Sequence, residues 1–370
     1  MITARPLIAI LVALVACGTP APPPPPDARP SAWSEGPTLL SRRLEPGVAA
    51  LGDRLVVLGG FDNSLEEGLH ITTDVDILDP GVPAAQQAWT QDLVHFPAAP
   101  RAWTHIQLAA SGPILYLLGG LEGQEYIAKG DTFALNTADP TLGWAPIATI
   151  PPGLERGSAA VIVAPPRIYL LGGASTNVAL ASNLYYDTIM DAWCPGLACT
   201  PDQQLPDLPF PRSHPAGMQM DDGTLVLVGG LATLDSSQPA ADVWWLPVDQ
   251  QNAAGHWIPK TPMPTARGGC AYGVVGGRLV CAGGEAGPSA LHQVEAYAPF
   301  LDPGDVPHPE AWTELERLPS ERAGAQGAAI GERLFVPGGA QELKFEPLDT
   351  LLELDVLAAD TGSAARLGSP

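Results

Sequence analysis

Six short apolar runs, each closed by a pair of glycines, recur along the chain and limit the folds that it can adopt. The first glycines of successive pairs are 60, 53, 57, 54 and 55 residues apart. A period of this size indicates a repeat architecture, in which each unit buries its apolar face against its neighbours. The pairs are Gly59-Gly60, Gly119-Gly120, Gly172-Gly173, Gly229-Gly230, Gly283-Gly284 and Gly338-Gly339.

Two further residue types repeat in step with the glycine pairs. An arginine lies 16 to 18 residues before each pair, and a tryptophan lies 10 to 19 residues before each arginine. Turn residues and strand-forming runs between these markers predict four antiparallel strands per unit, which is the content of a propeller blade. The arginines are Arg43, Arg101, Arg156, Arg212, Arg267 and Arg322, and the tryptophans are Trp33, Trp89, Trp144, Trp193, Trp257 and Trp312.

This pattern resembles the kelch repeat, which has a double glycine after a β run, a tyrosine or aspartate in the third strand and a tryptophan in the fourth. The resemblance extends from residue 33 to about residue 355 and implies an all-β, six-bladed propeller. We interpret all the glycine, arginine and tryptophan markers as structural, because a residue type repeated in every blade is explained most simply by the scaffold. A ring of arginines could also bind anions.

Closure of the ring leaves one topological choice. The sixth unit has no tryptophan strand after residues 351–355, so we predict that the strand around Trp33 supplies it. The competing candidate is the segment 361–370, which has a turn and a final proline but no tryptophan.

The N-terminus predicts an exported protein. Residues 1–16 have one charge, Arg5, and an apolar core at residues 7–16, as an export signal does. The run Leu14-Val15-Ala16-Cys17 resembles the bacterial lipobox, which implies a lipid on Cys17. Residues 17–31 then form a proline-rich stalk, 32–357 the propeller and 358–370 a C-terminal tail. Gly18 resembles the outer-membrane sorting pattern, so we expect an outer-membrane lipoprotein facing the periplasm or the cell surface.

The charge of the chain limits its partners. It has 18 basic and 40 acidic residues, for a net charge of −22. Such a surface repels nucleic acid and gains nothing from anionic lipid, so the lipid anchor is the only predicted membrane contact. With 46% hydrophobic residues the chain is not a solvated, disordered polymer, and we expect a monomer.

Four cysteines remain when Cys17 is set aside. Cys194 and Cys199 flank a Pro-Gly turn, and we predict a disulfide between them. Cys270 and Cys281 fall on the two strands of one predicted hairpin, where they either form a disulfide or are two buried thiols.

The sequence shows no local catalytic motif. Its seven histidines are scattered, and His105 and His214, which follow blade arginines by four and two residues, are interpreted as structural. No histidine pair stands at ligand spacing beside the cysteines, so no metal or cofactor is predicted. Variable contacts are expected in residues 61–73 and 231–241. The acidic residues around the first of these segments, interpreted as solvated, are Asp62, Glu66, Glu67 and Asp74.

Two functions are compatible with these features. The first is a non-enzymatic, membrane-tethered scaffold that binds a protein or glycan at the cell envelope. The second is a carbohydrate-active enzyme with its site at the propeller axis, because the chain resembles sialic-acid mutarotases in size, compartment and blade number, although no catalytic residue can be matched. A copper radical oxidase is disfavoured by the six blades and by the lack of a Tyr/His/Cys constellation.

Overall fold

The computed structural model describes residues 31–64, 68–197, 199–248, 255–304 and 306–364, with side chains up to residue 360 in the last helix. The chain divides into two units, Met1–Ser31 and Ala32–Pro370, and the fold below belongs to the second. The predicted export signal, Cys17, Glu66 and Glu67 lie outside the described residues, as do residues 365–370 of the predicted tail.

Six antiparallel sheets follow one another along the chain, and each corresponds to one predicted repeat. Blade 1 comprises Gly47–Leu51, Arg54–Leu58 and Val75–Leu78, with the Ile77–Thr90 bridge in the place of a fourth strand. Blade 2 comprises Leu108–Ser111, Ile114–Glu122, Ile127–Asn136 and Ala145–Pro146. Blade 3 comprises Ala160–Ala164, Arg167–Leu171, Asn183–Asp187 and Ala192–Cys194.

The second half of the chain repeats this arrangement. Blade 4 comprises Ala216–Gln219, Leu225–Val228, Val243–Leu246 and Ile258–Lys260. Blade 5 comprises Ala271–Val275, Arg278–Ala282, Val294–Tyr297 and Trp312–Glu314. Blade 6 comprises Ala328–Ile330, Arg333–Pro337, Leu351–Asp355 and the N-terminal strand Trp33–Glu35. The prediction of an all-β, six-bladed propeller is confirmed.

Short elements lie between the main strands. Three two-stranded hairpins follow glycine pairs: Phe61–Asp62 with His70–Ile71, Ala174–Ser175 with Val178–Ala179, and Glu285–Ala286 with Ser289–Ala290. The 3-10 helices are Ala84–Gln86, Pro140–Leu142, Pro201–Gln203, Pro299–Leu301 and Pro309–Ala311. The α-helix is Val356–Ala364. Within the described residues, no helix combines the length and apolarity needed to cross a membrane.

The N-terminal strand closes the ring, as predicted. Trp33 lies opposite Leu354 in antiparallel register, at the outer edge of blade 6. The alternative, closure by the C-terminal tail, is wrong. The chain after residue 355 turns into the α-helix, and its buried Val356 and Ala359 join the apolar cluster between blades 5 and 6.

The apolar core lies between neighbouring blades. Val280 and Val294 of blade 5, for example, pack in one cluster with Leu334 and Leu352 of blade 6. At five of the six blade boundaries the neighbouring first strands contact one another, so the first strands surround the axis. The glycine pairs permit this approach. A Cβ on Gly172 would stand 2.5 Å from the carbonyl oxygen of Arg212 in the next blade, and its φ of +60° also favours glycine.

The six repeated tryptophans form a hydrogen-bonded belt around the propeller. Each indole Nε1 donates to a backbone carbonyl in the segment that follows the tryptophan of the preceding blade, at 2.6 to 3.1 Å. Because each bond crosses one blade boundary, the belt closes on itself. The pairs are Trp33 with Glu316, Trp89 with Pro37, Trp144 with Pro97, Trp193 with Ala148, Trp257 with Pro206 and Trp312 with Thr261.

The repeated arginines bind within their own blades. Arg43 Nη2 lies 2.6 Å from Asp76 Oδ2, and Arg267 Nη2 lies 2.9 Å from Glu295 Oε2, with all four side chains buried. Arg101 is the exposed member of the series. Asp62 is buried 3.6 Å from Arg43, so the expectation that Asp62 is solvated is wrong.

Both cysteine pairs are bonded in the structure. Cys194 is joined to Cys199 with Cα atoms 5.2 Å apart, and Cys270 is joined to Cys281 with Cα atoms 5.5 Å apart. The second bond links the start of blade 5 to its second strand. For Cys270 and Cys281 the sequence left a disulfide and two buried thiols as alternatives, and the structure has the disulfide.

Candidate functional site

One residue from each blade, just before its first strand, belongs to a ring that we call the axial ring. In five of the six neighbouring pairs, the backbone N–H of one member donates to the carbonyl of the member in the adjacent blade, at 2.7 to 3.0 Å. This pattern places the six residues around the propeller axis. The members are Glu45, His105, Ser158, His214, Gly269 and Gly324.

All six members of the axial ring have a left-handed backbone, with φ between +53° and +61°. Glycine adopts this conformation readily, but Glu, His and Ser do so at a cost in conformational energy. Blades 5 and 6 use glycine, whereas blades 1 to 4 accept the cost and place a polar side chain there. Strained polar residues gathered at one point are a feature of functional sites.

Three of these side chains form a cluster, which we call the Glu-His-His triad. His105 Nε2 lies 3.8 Å from Glu45 Oε2, and the rings of His105 and His214 pack edge to face with centroids 5.2 Å apart. One ligand-type atom from each of the three residues lies within 4.8 Å of the other two. The triad therefore joins blades 1, 2 and 4, which are far apart in sequence.

Burial sets the charge state of the triad. It lowers the pKa of His105 to about 3 and the pKa of His214 to about 4, so both imidazoles are neutral at physiological pH. It also raises the pKa of Glu45 above the usual carboxyl value, an effect that His214 partly opposes. Two polar atoms at the ring, His214 Nε2 and Ser158 Oγ, are buried without a hydrogen-bond partner in the described part of the protein.

A second carboxylate, Glu285, approaches the triad from the hairpin of blade 5. It follows a glycine pair directly, and the residue at this position in every other blade is apolar: Phe61, Leu121, Ala174, Leu231 and Ala340. Burial first and the Glu45 carboxylate second raise the pKa of Glu285 to about 7, and a hydrogen bond from Ser236 opposes them. Glu285 thus carries a titratable proton close to neutral pH.

These groups face a cavity of about 410 Å³ at one mouth of the propeller. The triad, Ser158 and Glu285 line it on the axial side, while Tyr126 and Phe345 line it farther out. Burial raises the pKa of Tyr126 to about 12, so its hydroxyl stays protonated. The size and the few convergent polar groups are typical of a small-molecule site.

The opposite side of the axial ring is braced by protein. Tyr272 of blade 5 reaches across to blade 3, where its hydroxyl accepts a 3.0 Å hydrogen bond from the Val161 N–H. Gln326 of blade 6 donates from Nε2 to the carbonyl of Ile106 at 3.1 Å. These bonds span the cavity of about 370 Å³ below the ring. Glu45 and His214 line both cavities, but the cavity at the hairpin side is the one lined by all three members of the triad and by Glu285.

The predicted marker and disulfide residues lie outside this cavity, but the two segments in which variable contacts were expected, 61–73 and 231–241, contribute Phe61, Leu234, Asp235 and Ser236 to its lining. The glycine, arginine and tryptophan markers lie in the scaffold, and the four bonded cysteines lie in blades 3 and 5. His105 and His214, which follow blade arginines and were expected to be structural, line the cavity. Glu45 and Ser158 stand two residues after blade arginines, as His214 does, so aligning the six repeats would have revealed this column of polar residues.

Comparisons with known proteins agree with the fold. Over 330 residues the chain is 27% identical to Kelch-like protein terF of Aspergillus terreus, an alignment that covers 84% of this chain and 65% of that protein. The chain thus spans less than two thirds of this relative. The solved structure described as "Structure of YjhT" matches with a TM-score of 0.64 and 16% identity, covering 85% of this chain and 95% of that one. No protein-family model matches the chain.

The chain is a kelch-repeat β-propeller. Its repeat markers account for the glycine pairs, the tryptophan belt and the buried arginines. They do not account for the axial ring, where the kelch repeats differ from one another in residue type. In this kelch propeller the blades have equivalent backbones but different axial side chains, and that difference forms the candidate site.

Proposed function

We propose that this kelch propeller is a carbohydrate-active enzyme that interconverts the anomers of a small sugar in its axial cavity. The observation that carries the proposal is the axial ring, which brings polar side chains from four blades to one cavity and adds Glu285 above them. A scaffold protein needs no strained, buried polar cluster of this kind, whereas a catalytic site does.

Anomerisation needs little more than two coupled proton transfers. One proton leaves the anomeric hydroxyl while another reaches the ring oxygen, the ring C–O bond breaks, and the open-chain carbonyl rotates before the ring closes again. Glu285 is suited to transfer a proton, because it faces the cavity and titrates near neutral pH. The triad would hold the hydroxyl groups at the anomeric end.

The charge of the cavity favours a neutral or an amino sugar. Glu45 and Glu285 approach the axis without a buried arginine or lysine among the described lining residues. The basic lining residue is Lys344, an exposed side chain paired with Glu342 at the rim. Because a carboxylate on the substrate would meet Glu45 and Glu285 with no buried cation among the described lining residues, an acidic sugar such as sialic acid is a weaker candidate.

Exchange NMR on anomer mixtures tests this function. We expect the purified protein to accelerate anomer exchange at least tenfold for one of glucose, galactose, N-acetylglucosamine or glucosamine, and less for N-acetylneuraminic acid. Glu285→Gln should abolish the acceleration, and the exposed control Glu314→Gln should keep it. Unchanged exchange rates across the whole panel would refute the proposed activity, and sugar binding without acceleration would favour a binding module.

We also propose that the protein is exported as a lipoprotein through Cys17. The lipobox-like sequence before Cys17 and the two disulfides support this address, since disulfides persist in oxidising compartments. Metabolic labelling with a palmitate analogue in a bacterial host should label the full chain and not its Cys17→Ser variant. Equal labelling of both would contradict the proposal.

A further inference from the structure

The axial ring offers donors of a kind that neither the repeat pattern nor the proposed proton transfer requires. Two neutral imidazoles and one carboxylate come together at the Glu-His-His triad. Among the described residues, no other three His, Cys, Asp or Glu side chains bring their ligand atoms within 4.8 Å of one another. We propose that the triad binds a divalent first-row transition metal ion, with Glu45, His105 and His214 as its protein ligands.

The donor set fits such an ion. Imidazole nitrogen and carboxylate oxygen bind Zn²⁺ and related ions at about 2.0 to 2.2 Å, which places ligand atoms about 3 to 4 Å apart. His105 Nε2 and Glu45 Oε2 are already 3.8 Å apart, and the longest separation in the triad is below 4.8 Å. Side-chain movements of about 1 Å would therefore complete the coordination.

The outer nitrogens of both histidines are held by equivalent partners. Thr104 Oγ1 lies 2.8 Å from His105 Nδ1, and Ser213 Oγ lies 3.2 Å from His214 Nδ1. In each case the hydroxyl belongs to the residue just before the histidine. A hydroxyl that accepts from Nδ1–H leaves the Nε2 lone pair free for a metal, which is the usual support of a histidine ligand.

An independent observation also points to a missing ligand. His214 Nε2 and the Ser158 hydroxyl are buried without a hydrogen-bond partner, and Ser158 is only 7% exposed. Buried polar atoms are normally satisfied, so each unsatisfied atom calls for an explanation. A metal ion would satisfy His214 directly, and its bound water would be within reach of the polar lining of the cavity.

The remaining ring members keep one side of the site open. Blades 5 and 6 contribute Gly269 and Gly324, and a Cβ on Gly324 would stand only 2.9 Å from Glu45 Oε1. Glycine at this position therefore leaves room for the Glu45 carboxylate. With three protein ligands and an open side, the ion could accept water or the hydroxyls of a ligand.

Metal titration of the full chain tests this site without any substrate. The protein is stripped with EDTA, dialysed and titrated with Zn²⁺ by calorimetry. We expect one equivalent to bind at micromolar affinity or tighter. Glu45→Gln, His105→Asn and His214→Asn should each weaken binding by about 100-fold or more, whereas Ser213→Ala, which removes only the outer support, should cost about 10-fold. Asparagine is chosen because it tolerates the left-handed backbone at both histidines.

The matched control is His95→Gln. His95 is exposed and lies 2.6 Å from Asp92, so it is a histidine–carboxylate pair outside the cavity, and its loss should leave the affinity unchanged. The Cu²⁺ complex of the unaltered protein gives a readout that does not depend on any variant folding. Its pulsed EPR spectrum should show two coordinated imidazoles.

Two results would overturn the metal site: no stoichiometric binding of Zn²⁺ or Cu²⁺, or binding that survives in all three ligand variants. This inference uses the same cavity as the proposed anomerisation but is tested separately. Anomer exchange measured in EDTA reports on the enzyme without metal, and calorimetry without sugar reports on the metal alone.

Discussion

Trp33 Nε1 donates a hydrogen bond of 2.9 Å to the carbonyl oxygen of Glu316, across 283 residues of sequence. This bond is the long-range member of the tryptophan belt, because the other five join residues only 45 to 52 positions apart in sequence. The belt thus links the N-terminal strand of blade 6 to the segment that follows the last strand of blade 5.

Replacing Trp33 with phenylalanine should destabilise the propeller by about 1 to 3 kcal/mol, because the indole hydrogen bond to the Glu316 carbonyl is lost while much of the ring packing remains. Urea unfolding followed by circular dichroism measures the change. Trp193→Phe, which removes the equivalent bond between blades 3 and 2, should cost a similar amount. The half-buried Trp244 lies outside the belt, and a loss for Trp244→Phe as large as that for Trp33→Phe would contradict the role of the belt.

The fold could be predicted from the sequence because the blade repeat is marked by residue types that the backbone geometry of each blade requires. The strand expected at residues 351–355 of the sixth repeat has those bounds in the structure. Closure at Trp33 followed from the missing tryptophan in the sixth repeat. The helix Val356–Ala364 was missed, since it lies beyond the last repeat marker and owes its place to tertiary packing of Val356 and Ala359.

The candidate site could not be predicted in the same way. Glu45, His105 and His214 are 60 and 109 residues apart, and only ring closure brings them together. Glu285 was also missed. Its signal was available in the sequence, because Glu285 is a carboxylate at the position after the glycine pair, where the other five repeats have an apolar residue. Local spacing detects sites built on one element, whereas an axial site takes one residue from each of several blades.

The repeated arginines provide a test of burial at equivalent positions. Arg267→Leu should destabilise the protein by about 3 to 5 kcal/mol, because Glu295 remains buried and unpaired. Arg101→Leu should change stability by less than about 1 kcal/mol, since Arg101 and its partner Asp131, 3.8 Å away, are both exposed. Chemical denaturation of both variants measures the difference, and equal losses would show that burial does not separate these positions.

A double variant separates the charge of Arg267 from its packing. Arg267→Met combined with Glu295→Gln removes both charges and keeps most of the side-chain volume. We expect it to recover part of the stability lost in Arg267→Leu, because no buried charge is left without a partner. A double variant less stable than the single one would assign the loss to packing instead.

The two disulfides should be present in the purified protein and should stabilise it unequally. Alkylation without reductant should modify none of Cys194, Cys199, Cys270 and Cys281, whereas full reduction should add four adducts by mass to any already present on Cys17. The Cys270–Cys281 bond closes a longer loop, with a sequence separation of 11 against 5. Its removal by a double alanine substitution should cost about 3 kcal/mol, compared with about 2 kcal/mol for the other pair. Adducts on any of these four cysteines in the unreduced protein would contradict the pairing.

The buried carboxyl of Glu285 should make stability depend on pH in the absence of metal. Its pKa is raised from the ordinary 4.5 to about 7 in the folded protein, so the fold binds the proton more tightly than the unfolded chain does. This contribution to stability is fully present below pH 4.5 and is lost as the pH rises to about 7. Burial and the facing Glu45 carboxylate cause the loss, and Ser236 moderates it.

Glu285→Gln removes that ionisation, so the variant should gain stability relative to the unaltered protein as the pH rises from 4.5 to 7. The relative gain should be on the order of 1 kcal/mol or more. Urea denaturation at half-unit pH intervals in EDTA measures it, with the exposed Glu314→Gln as the control whose difference stays flat. A constant difference between Glu285→Gln and the unaltered protein across this range would show that Glu285 titrates as an ordinary carboxyl and would remove it as the proton-transferring group.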